Sequence, residues 1–173
     1  GRMAAALERA KRFKQAAELA RTTIQEVAVD THRRWADYLN ARVSELLAQF
    51  GTPIQQLRFG EDLDFSIQPA DGPQVSRGKA HLQLSAGARD QLYLAVRLAI
   101  SEYLSRGAEP LPLLLDDAFA TSDDERLRSA MTALLDGFGA GHQIIAVTCH
   151  RGRHDELRRY DPERFIARVQ WIE

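Results

Sequence analysis

An α/β fold, with a mostly parallel sheet flanked by helices and an N-terminal coiled-coil helix, follows from three features of the sequence. Apolar residues recur at alternating gaps of three and four from Met3 to Val27; short apolar runs then alternate with helical stretches; and the run over 111–115 ends in two adjacent acids, Asp116 and Asp117. Strands alternating with helices imply parallel pairing covered on both faces, which puts ligand sites beyond the strands' carboxyl ends.

The seam of Met3, Ala6, Ala10, Phe13, Ala17, Ala20, Ile24 and Val27 has heptad spacing. So thin a stripe leaves a lone helix marginal in water, and residues 1–30 read as the end of a coiled-coil arm that needs a partner helix. The seam breaks near 31–34 and resumes with Trp35, Leu39, Val43, Leu46, Leu47 and Phe50, a wider stripe that opens a domain spanning 31–173. Gly51 and Pro53 stop this helix. Leu57, Phe59, Leu63, Phe65 and Ile67 alternate with polar neighbours around an interruption at 60–62, the pattern of a strand or hairpin.

After a loop over 69–78, a second short strand is expected at 80–84. Ser85, Ala86 and Gly87 then lead into a helix over 89–104 that is apolar nearly all round, and so buried. The run over 111–115 reads as a central parallel strand. An amphipathic helix is expected over 123–138, with Leu127, Met131, Leu134, Leu135 and Phe138 on one face and Asp124 and Glu125 in its first turn. Gly137, Gly139 and Gly141 end it. Residues 143–148 read as another buried strand, 154–160 as a short helix, and 165–172 as a final strand alternating Phe165, Ala167, Val169 and Trp171. Trp35 and Trp171 are assigned to the core.

At 173 residues, 45% hydrophobic and 27% charged, the chain suits one globular domain rather than a disordered segment or a disulfide scaffold. Its 23 Lys and Arg against 24 Asp and Glu give a net charge of −1, so nucleic acid or a membrane would need a local patch. The first 50 residues carry 9 basic and 6 acidic groups, the rest 14 and 18; a solvated helix face explains this asymmetry as well as a DNA contact does. The single cysteine, Cys149, forms no internal bridge and reads as an inert buried thiol. The N-terminus lacks a signal-peptide layout, so the cytoplasm is the expected location. No apolar stretch approaches the roughly 20 residues of a membrane helix, and no membrane partner is expected. His32, His81, His142 and His154 lack metal-ligand spacing and form no zinc set with Cys149.

Three segments are expected to meet at the strands' carboxyl ends: Leu84-Ser85-Ala86-Gly87-Ala88-Arg89-Asp90-Gln91, Leu113-Leu114-Leu115-Asp116-Asp117, and Thr148-Cys149-His150. The first, with the buried helix after it, resembles the signature motif of ABC-type ATPases in their SMC-like branch. The Pro112–Asp117 segment is similar to a Walker B strand, Asp116–Arg126 to its continuation into a D-loop, and His150 stands where that branch has a switch histidine. Within the branch, the wording from Leu84 to Leu94, together with Leu115-Asp116-Asp117-Ala118-Phe119, is similar to YhaN-type coiled-coil AAA-family proteins. The resemblance runs from the coil to the C-terminus and implies the C-terminal half of a P-loop ABC/SMC ATPase head. The phosphate-cradling pattern G-x-x-x-x-G-K-[ST] does not occur in the chain, and Gly78-Lys79 lacks its upstream glycine. SMC-like proteins carry that loop on an N-terminal lobe beyond the coil, so this chain resembles the C-terminal lobe alone.

The resemblance implies ATP and Mg²⁺ as cofactors. Ser85, Gly87 and Arg89 would contact, in trans, the γ-phosphate of ATP held by a facing head; a helix N-terminus suits this because its N–H groups and dipole favour phosphate oxygens. Arg89 replaces the usual lysine, Ala86 a glycine and Ala88 a frequent glutamate. Asp116 would serve the Mg²⁺ shell, since Mg²⁺ takes one or two carboxylates alongside phosphates and water. Asp117 would orient the attacking water as general base, although most of the superfamily has glutamate there. Asp123 holds the D-loop position, and His150 would sense the γ-phosphate. The implied partners are the N-terminal P-loop lobe of the same protein, a second copy of the head in an ATP-dependent homodimer, and DNA, in repair or chromosome maintenance. The isolated fragment is expected to be inactive.

Plainer readings stay open for each motif. Ser85 can simply cap its helix, Asp123 can cap the next one, and Asp116-Asp117 can be a strand end with a solvated turn. Two other functions compete: a metal-dependent phosphohydrolase or nuclease using Asp116, Asp117, Asp123 and His150, and a non-catalytic coiled-coil interaction module.

Overall fold

The computed structural model of the chain describes residues 1–60 and 64–170. One uninterrupted helix, α1 (Arg2–Gln49), carries both apolar stripes read from the sequence. Its seam side chains Met3, Phe13, Ile24 and Val27 are exposed, whereas Ala36, Leu39, Val43, Leu46 and Leu47 are buried. The break at 31–34 is therefore a change of surroundings and not of backbone. The helix ends as Gly51 predicts: it adopts φ +65°, while its N–H bonds Ala48 O at 3.2 Å and the Thr52 N–H bonds Leu47 O at 3.2 Å. That paired arrangement is a Schellman turn, in which glycine adopts the left-handed conformation without a Cβ penalty.

The expected hairpin forms from β1 (Ile54–Phe59) and β2 (Phe65–Pro69), antiparallel with Leu57 opposite Ile67 and Phe59 opposite Phe65. Leu63, part of the predicted alternation, lies outside the described residues, as does Trp171. The expected loop over 69–78 contains a two-residue strand, β3 (Val75–Ser76), that pairs with β2.

The strand expected at 80–84 is instead helical. A 3-10 turn (Arg77–Lys79) runs into α2 (Ala80–Gln83). Ala80 and Leu84 are buried while Leu82 is 73% exposed, so the apolar period here is four, not two. The backbone turns extended at Leu84, and α3 (Ala86–Leu104) begins behind Ser85.

Helix α3 is buried along Ala88, Leu92, Ala95, Leu98 and Ala99, where it packs on the second half of α1. Its Gln91 side chain, wholly buried, donates from Nε2 to Phe50 O at 3.3 Å and ties α3 to the end of α1. At the other end of this contact, Arg42 grips Glu102 with two bonds, Nη2 to Oε1 at 2.7 Å and Nε to Oε2 at 2.5 Å. Tyr38 donates to the same carboxylate at 3.2 Å, and the Arg106 guanidinium lies 4.1 Å above the Tyr38 ring. Bidentate geometry between half-buried partners makes this a stronger link than an exposed ion pair.

The parallel part of the fold is a pair of strands, β4 (Leu113–Asp116) and β5 (Ile144–Val147), in register Leu113 to Ile144 through Asp116 to Val147. The amphipathic helix α4 (Asp124–Asp136) connects them and buries Leu127, Ala130 and Leu134. The sequence leads one to expect both strands buried. Leu115 is, but on the outer face Leu114 is 68%, Ile145 46% and Val147 55% exposed, because no helix among the described residues covers that side.

After β5 come α5 (Arg151–Tyr160) and α6 (Pro162–Ala167). The final strand expected over 165–172 is replaced in its first part by α6. Asp161 caps this helix by accepting from the Arg164 N–H at 3.1 Å, and Pro162 occupies its first position, where a missing N–H costs nothing. Buried Phe165 docks it, and Ile166 points outward. No helix among the described residues is long and apolar enough to cross a membrane.

Candidate functional site

The carboxyl ends of β4 and β5 lie side by side, and the residues just beyond them meet. The Asp117 N–H still bonds Val147 O at 2.8 Å, but the backbone then turns through φ +45°. Aspartate is among the few side chains that tolerate this region. The turn brings its carboxylate to the end of β5, where Thr148 Oγ1 donates to Oδ1 at 2.9 Å and the Cys149 thiol donates to Oδ2 at 2.8 Å; the Cys149 N–H lies 3.4 Å from Oδ1. Hydrogen bonds from Cys149 and then Thr148 hold the Asp117 carboxyl below the usual carboxylate range. The same contact pushes the Cys149 thiol up, since it gives its proton to an anion. Cys149 is exposed, not buried as expected, because β5 ends at Val147 and the chain leaves the sheet before reaching it.

Asp116 is the last residue of β4 and is exposed, on the same strand face as Leu114. His150 stands at the start of α5 with its ring uncommitted to capping, and its N–H bonds Thr148 Oγ1 at 3.0 Å. Donor atoms of Asp117, Cys149 and His150 all fall within 4.8 Å of one another. A cavity of about 10 Å³ opens beside them, lined among others by Asp117, Thr148, His150 and Arg153.

The start of α3 forms the second part of the site. Exposed Ser85 caps the helix, its Oγ accepting from the Ala88 N–H at 3.2 Å. The same oxygen accepts from Arg126 Nη1 at 3.1 Å. Arg126 belongs to the first turn of α4 and also pairs with Asp123 at 3.3 Å, while Asp123 caps α4 by accepting from the Arg126 N–H at 2.9 Å. Gly87 is buried, and a Cβ there would stand 2.9 Å from Thr121 O and 3.3 Å from Ser122 Cα. Glycine is therefore needed to seat α3 against the backbone of the loop after β4. One turn on, the Asp90 carboxylate accepts from Thr121 Oγ1 at 2.5 Å. Arg89 is half-buried beside it, its N–H on Ser85 O at 3.0 Å.

Arg153 of α5 closes the circuit, bonding Phe119 O at 3.2 Å, Ser122 O at 2.6 Å and Asp124 at 3.0 Å. The loop over 117–123 thus joins the starts of α3, α4 and α5 into one polar belt. All the sequence-selected residues lie on or beside it, but they form two groups. Asp117 and His150 cluster, whereas Asp123 is engaged with its own helix and Arg126. Arg153 joins the site without having been singled out by any motif, and Thr148 and Arg126, which lie within the expected segments, were given no role of their own. The two arginines do leave a signal in the sequence: a cation in the first turn of a helix opposes the dipole, so it needs another partner to hold it there.

Residues 54–136 match the family model described as SbcC/RAD50-like, Walker B motif. The chain is 41% identical to YhaN of Bacillus subtilis over 68 residues, 39% of this chain and 7% of that protein. It is 29% identical to an uncharacterized Mycobacterium tuberculosis protein, Rv1278, over 150 residues, 87% of this chain and 16% of that one. It therefore spans a small fraction of the length of these relatives. Among solved structures it is similar to one from structural biochemistry of ATP-driven dimerization and DNA stimulated activation of SMC ATPases, at TM-score 0.55 and 18% identity over 70% of this chain and 73% of that one. It also resembles the Smc head domain with an extended coiled coil, bound to the C-terminal domain of ScpA, from Pyrococcus furiosus, at TM-score 0.57 and 18% identity over 85% of this chain and 38% of that one. The chain thus shares the fold of SMC head domains, matches the SbcC/RAD50-like Walker B model over 54–136 and is similar to YhaN, a set of likenesses that points to the C-terminal portion of an SMC-like ATPase.

Proposed function

We propose that this chain completes a composite ATPase site: it meets ATP held by a P-loop lobe, and ATP binding and hydrolysis then drive head pairing and movement of the coil. The observation that carries the proposal is the polar belt. A signature-like helix start at Ser85, the Asp117 carboxylate beyond β4 and the start of α5 at His150 are linked by hydrogen bonds around a single loop, with Asp116 at the adjoining strand end. The exposed outer face of β4 and β5 fits a cover supplied by the P-loop lobe.

The residues present fit Mg²⁺ and ATP. Asp116 is a solvent-facing carboxylate at a strand end, and the start of α3 presents N–H groups beside exposed Ser85 and Ala86. Mg²⁺ would neutralise charge on the transferring phosphate. Asp117 acts on the attacking water. Its lowered pKa makes it a better orienting acceptor than a proton sink, and Thr148 and Cys149 fix its direction. His150 donates to the γ-phosphate region. Ser85, with Gly87 and Arg89 in the same turn, receives the phosphate of the facing head, and Asp123 reaches the pair interface through Arg126. The whole protein would pair as a homodimer and act on DNA, in repair or chromosome maintenance, in the cytoplasm.

The phosphohydrolase alternative needs Asp123 beside Asp116, Asp117 and His150, and the capping role of Asp123 speaks against it. Mixing tests the proposal. The purified chain alone should show no ATP turnover, and turnover should appear when the P-loop lobe is added. Steady turnover by the chain alone, abolished by Asp116→Ala, would overturn the composite site.

A further inference from the structure

Asp117, Cys149 and His150 present a carboxylate oxygen, a sulfur and an imidazole nitrogen within 4.8 Å of one another, at the surface. This donor set differs in kind from a Mg²⁺ shell. Mg²⁺ selects oxygen, whereas a thiol and an imidazole together select thiophilic borderline ions. From this convergence we infer that the three side chains form a Zn²⁺ site of the open kind, with three protein ligands and water in the fourth position.

The sulfur–oxygen pair needs little adjustment, and the His150 ring turns inward to complete the set. A tetrahedral ion with Zn–S about 2.3 Å and Zn–O about 2.1 Å separates sulfur and oxygen by about 3.6 Å. The present contact between Cys149 Sγ and Asp117 Oδ2 is 2.8 Å, so capture opens it by less than an ångström. Thr148 Oγ1 holds the other carboxylate oxygen and sets the orientation of the ligand, the usual task of a residue behind a metal ligand. The adjoining cavity of about 10 Å³ is at the lower limit for one water. Binding replaces the thiol proton: Cys149 S–H becomes a zinc-bound thiolate, and one proton leaves to solvent for each ion taken up.

The site uses the same Asp117 and His150 side chains as the proposed ATPase role, so Zn²⁺ occupancy and ATP turnover exclude one another, and its test uses no nucleotide. Reduced chain is titrated with Co²⁺ and followed by absorption, then with Zn²⁺ and followed by calorimetry and by proton release to a pH indicator. A thiolate-to-cobalt charge-transfer band should appear at one equivalent, Zn²⁺ should abolish it, and about one proton per ion should be released. Cys149→Ser should lose the band. His150→Ala should keep a band but bind Zn²⁺ at least about tenfold more weakly. His32→Ala, on the exposed coil, should bind like the parent. Absence of the cobalt band, or equal Zn²⁺ affinity in the parent, Cys149→Ser and His150→Ala, would overturn the site. Circular dichroism of each variant verifies the fold, and these exposed positions should leave it intact.

Discussion

Replacing Gly87 with alanine adds one methyl group where the structure has no room. Its Cβ would stand 2.9 Å from Thr121 O and 3.3 Å from Ser122 Cα, both backbone atoms of the loop after β4. To reach an ordinary contact that loop must retreat by about half an ångström, and Arg153 and Asp90 hold it in place through Ser122 O and Thr121 Oγ1. Overpacking against fixed neighbours costs about 1–3 kcal/mol, while alanine returns at most about 1 kcal/mol of helix propensity. The net loss is up to about 2 kcal/mol, which lowers the melting temperature by up to about 8 °C in a chain of this size. Thermal melting by circular dichroism reads this directly. Propensity alone predicts the opposite sign, so a variant melting at or above the parent temperature would refute the close approach of α3 to the loop.

Ser85→Arg removes a cap worth about 0.5–2 kcal/mol and sets a second guanidinium near Arg126, yet its exposed position lets the chain fold; in the reconstituted head, ATP binding to the P-loop lobe should persist while pairing and hydrolysis collapse, and a parental dimerisation curve would remove Ser85 from the site. Asp117→Asn keeps a side chain that tolerates φ +45° but removes the charge that raises the Cys149 pKa, so alkylation of Cys149 should be faster at neutral pH and the midpoint of its pH profile should move down, with ATP hydrolysis falling while heads stay paired; an unchanged alkylation profile would contradict the contact. At Glu102, burial alone would raise the carboxyl, but the bonds and charge of Arg42, with Tyr38, hold it below its ordinary value of 4.5; its contribution is therefore complete above that value and lost as pH falls through the lowered one, so Glu102→Gln should cost about 1.5–3 kcal/mol at neutral pH and progressively less in acid, and a cost independent of pH would show that charge is not involved.

Periodicity makes the helices and the hairpin legible. The heptad seam, the wider stripe from Trp35 to Phe50 and the face of α4 each name the side chains that the structure exposes or buries. Alternation misleads where only three or four residues carry it. At 80–84 the exposure of Leu82 reveals a helical turn, and at Phe165 the Asp161-Pro162 start signal outweighs the apparent two-residue period. Full burial of β5 would need a sheet covered on both faces, whereas the described residues cover one. In the site, order along the chain selects Ser85, Asp116, Asp117, Asp123 and His150, but not what joins them. The bond from Arg126 to Ser85 spans 41 positions, and the bonds from Thr148 and Cys149 to Asp117 span 31 and 32. No local pattern encodes such pairs. The exposure of Cys149 is hidden for the same reason, since it depends on where β5 stops.

The unbroken run of α1 also has a mechanical meaning. Its first 34 residues, ahead of buried Ala36, make up about 50 Å of helix, and its far end is anchored where Gln91 of α3 holds Phe50 O. Helix α3 starts behind Ser85, so a single helix links that end of the site to the root of α1. A tilt of about 10° at the root would sweep the tip through about 9 Å. On the proposed reading, ångström adjustments around Ser85 and Asp117 would become nanometre-scale travel along the arm.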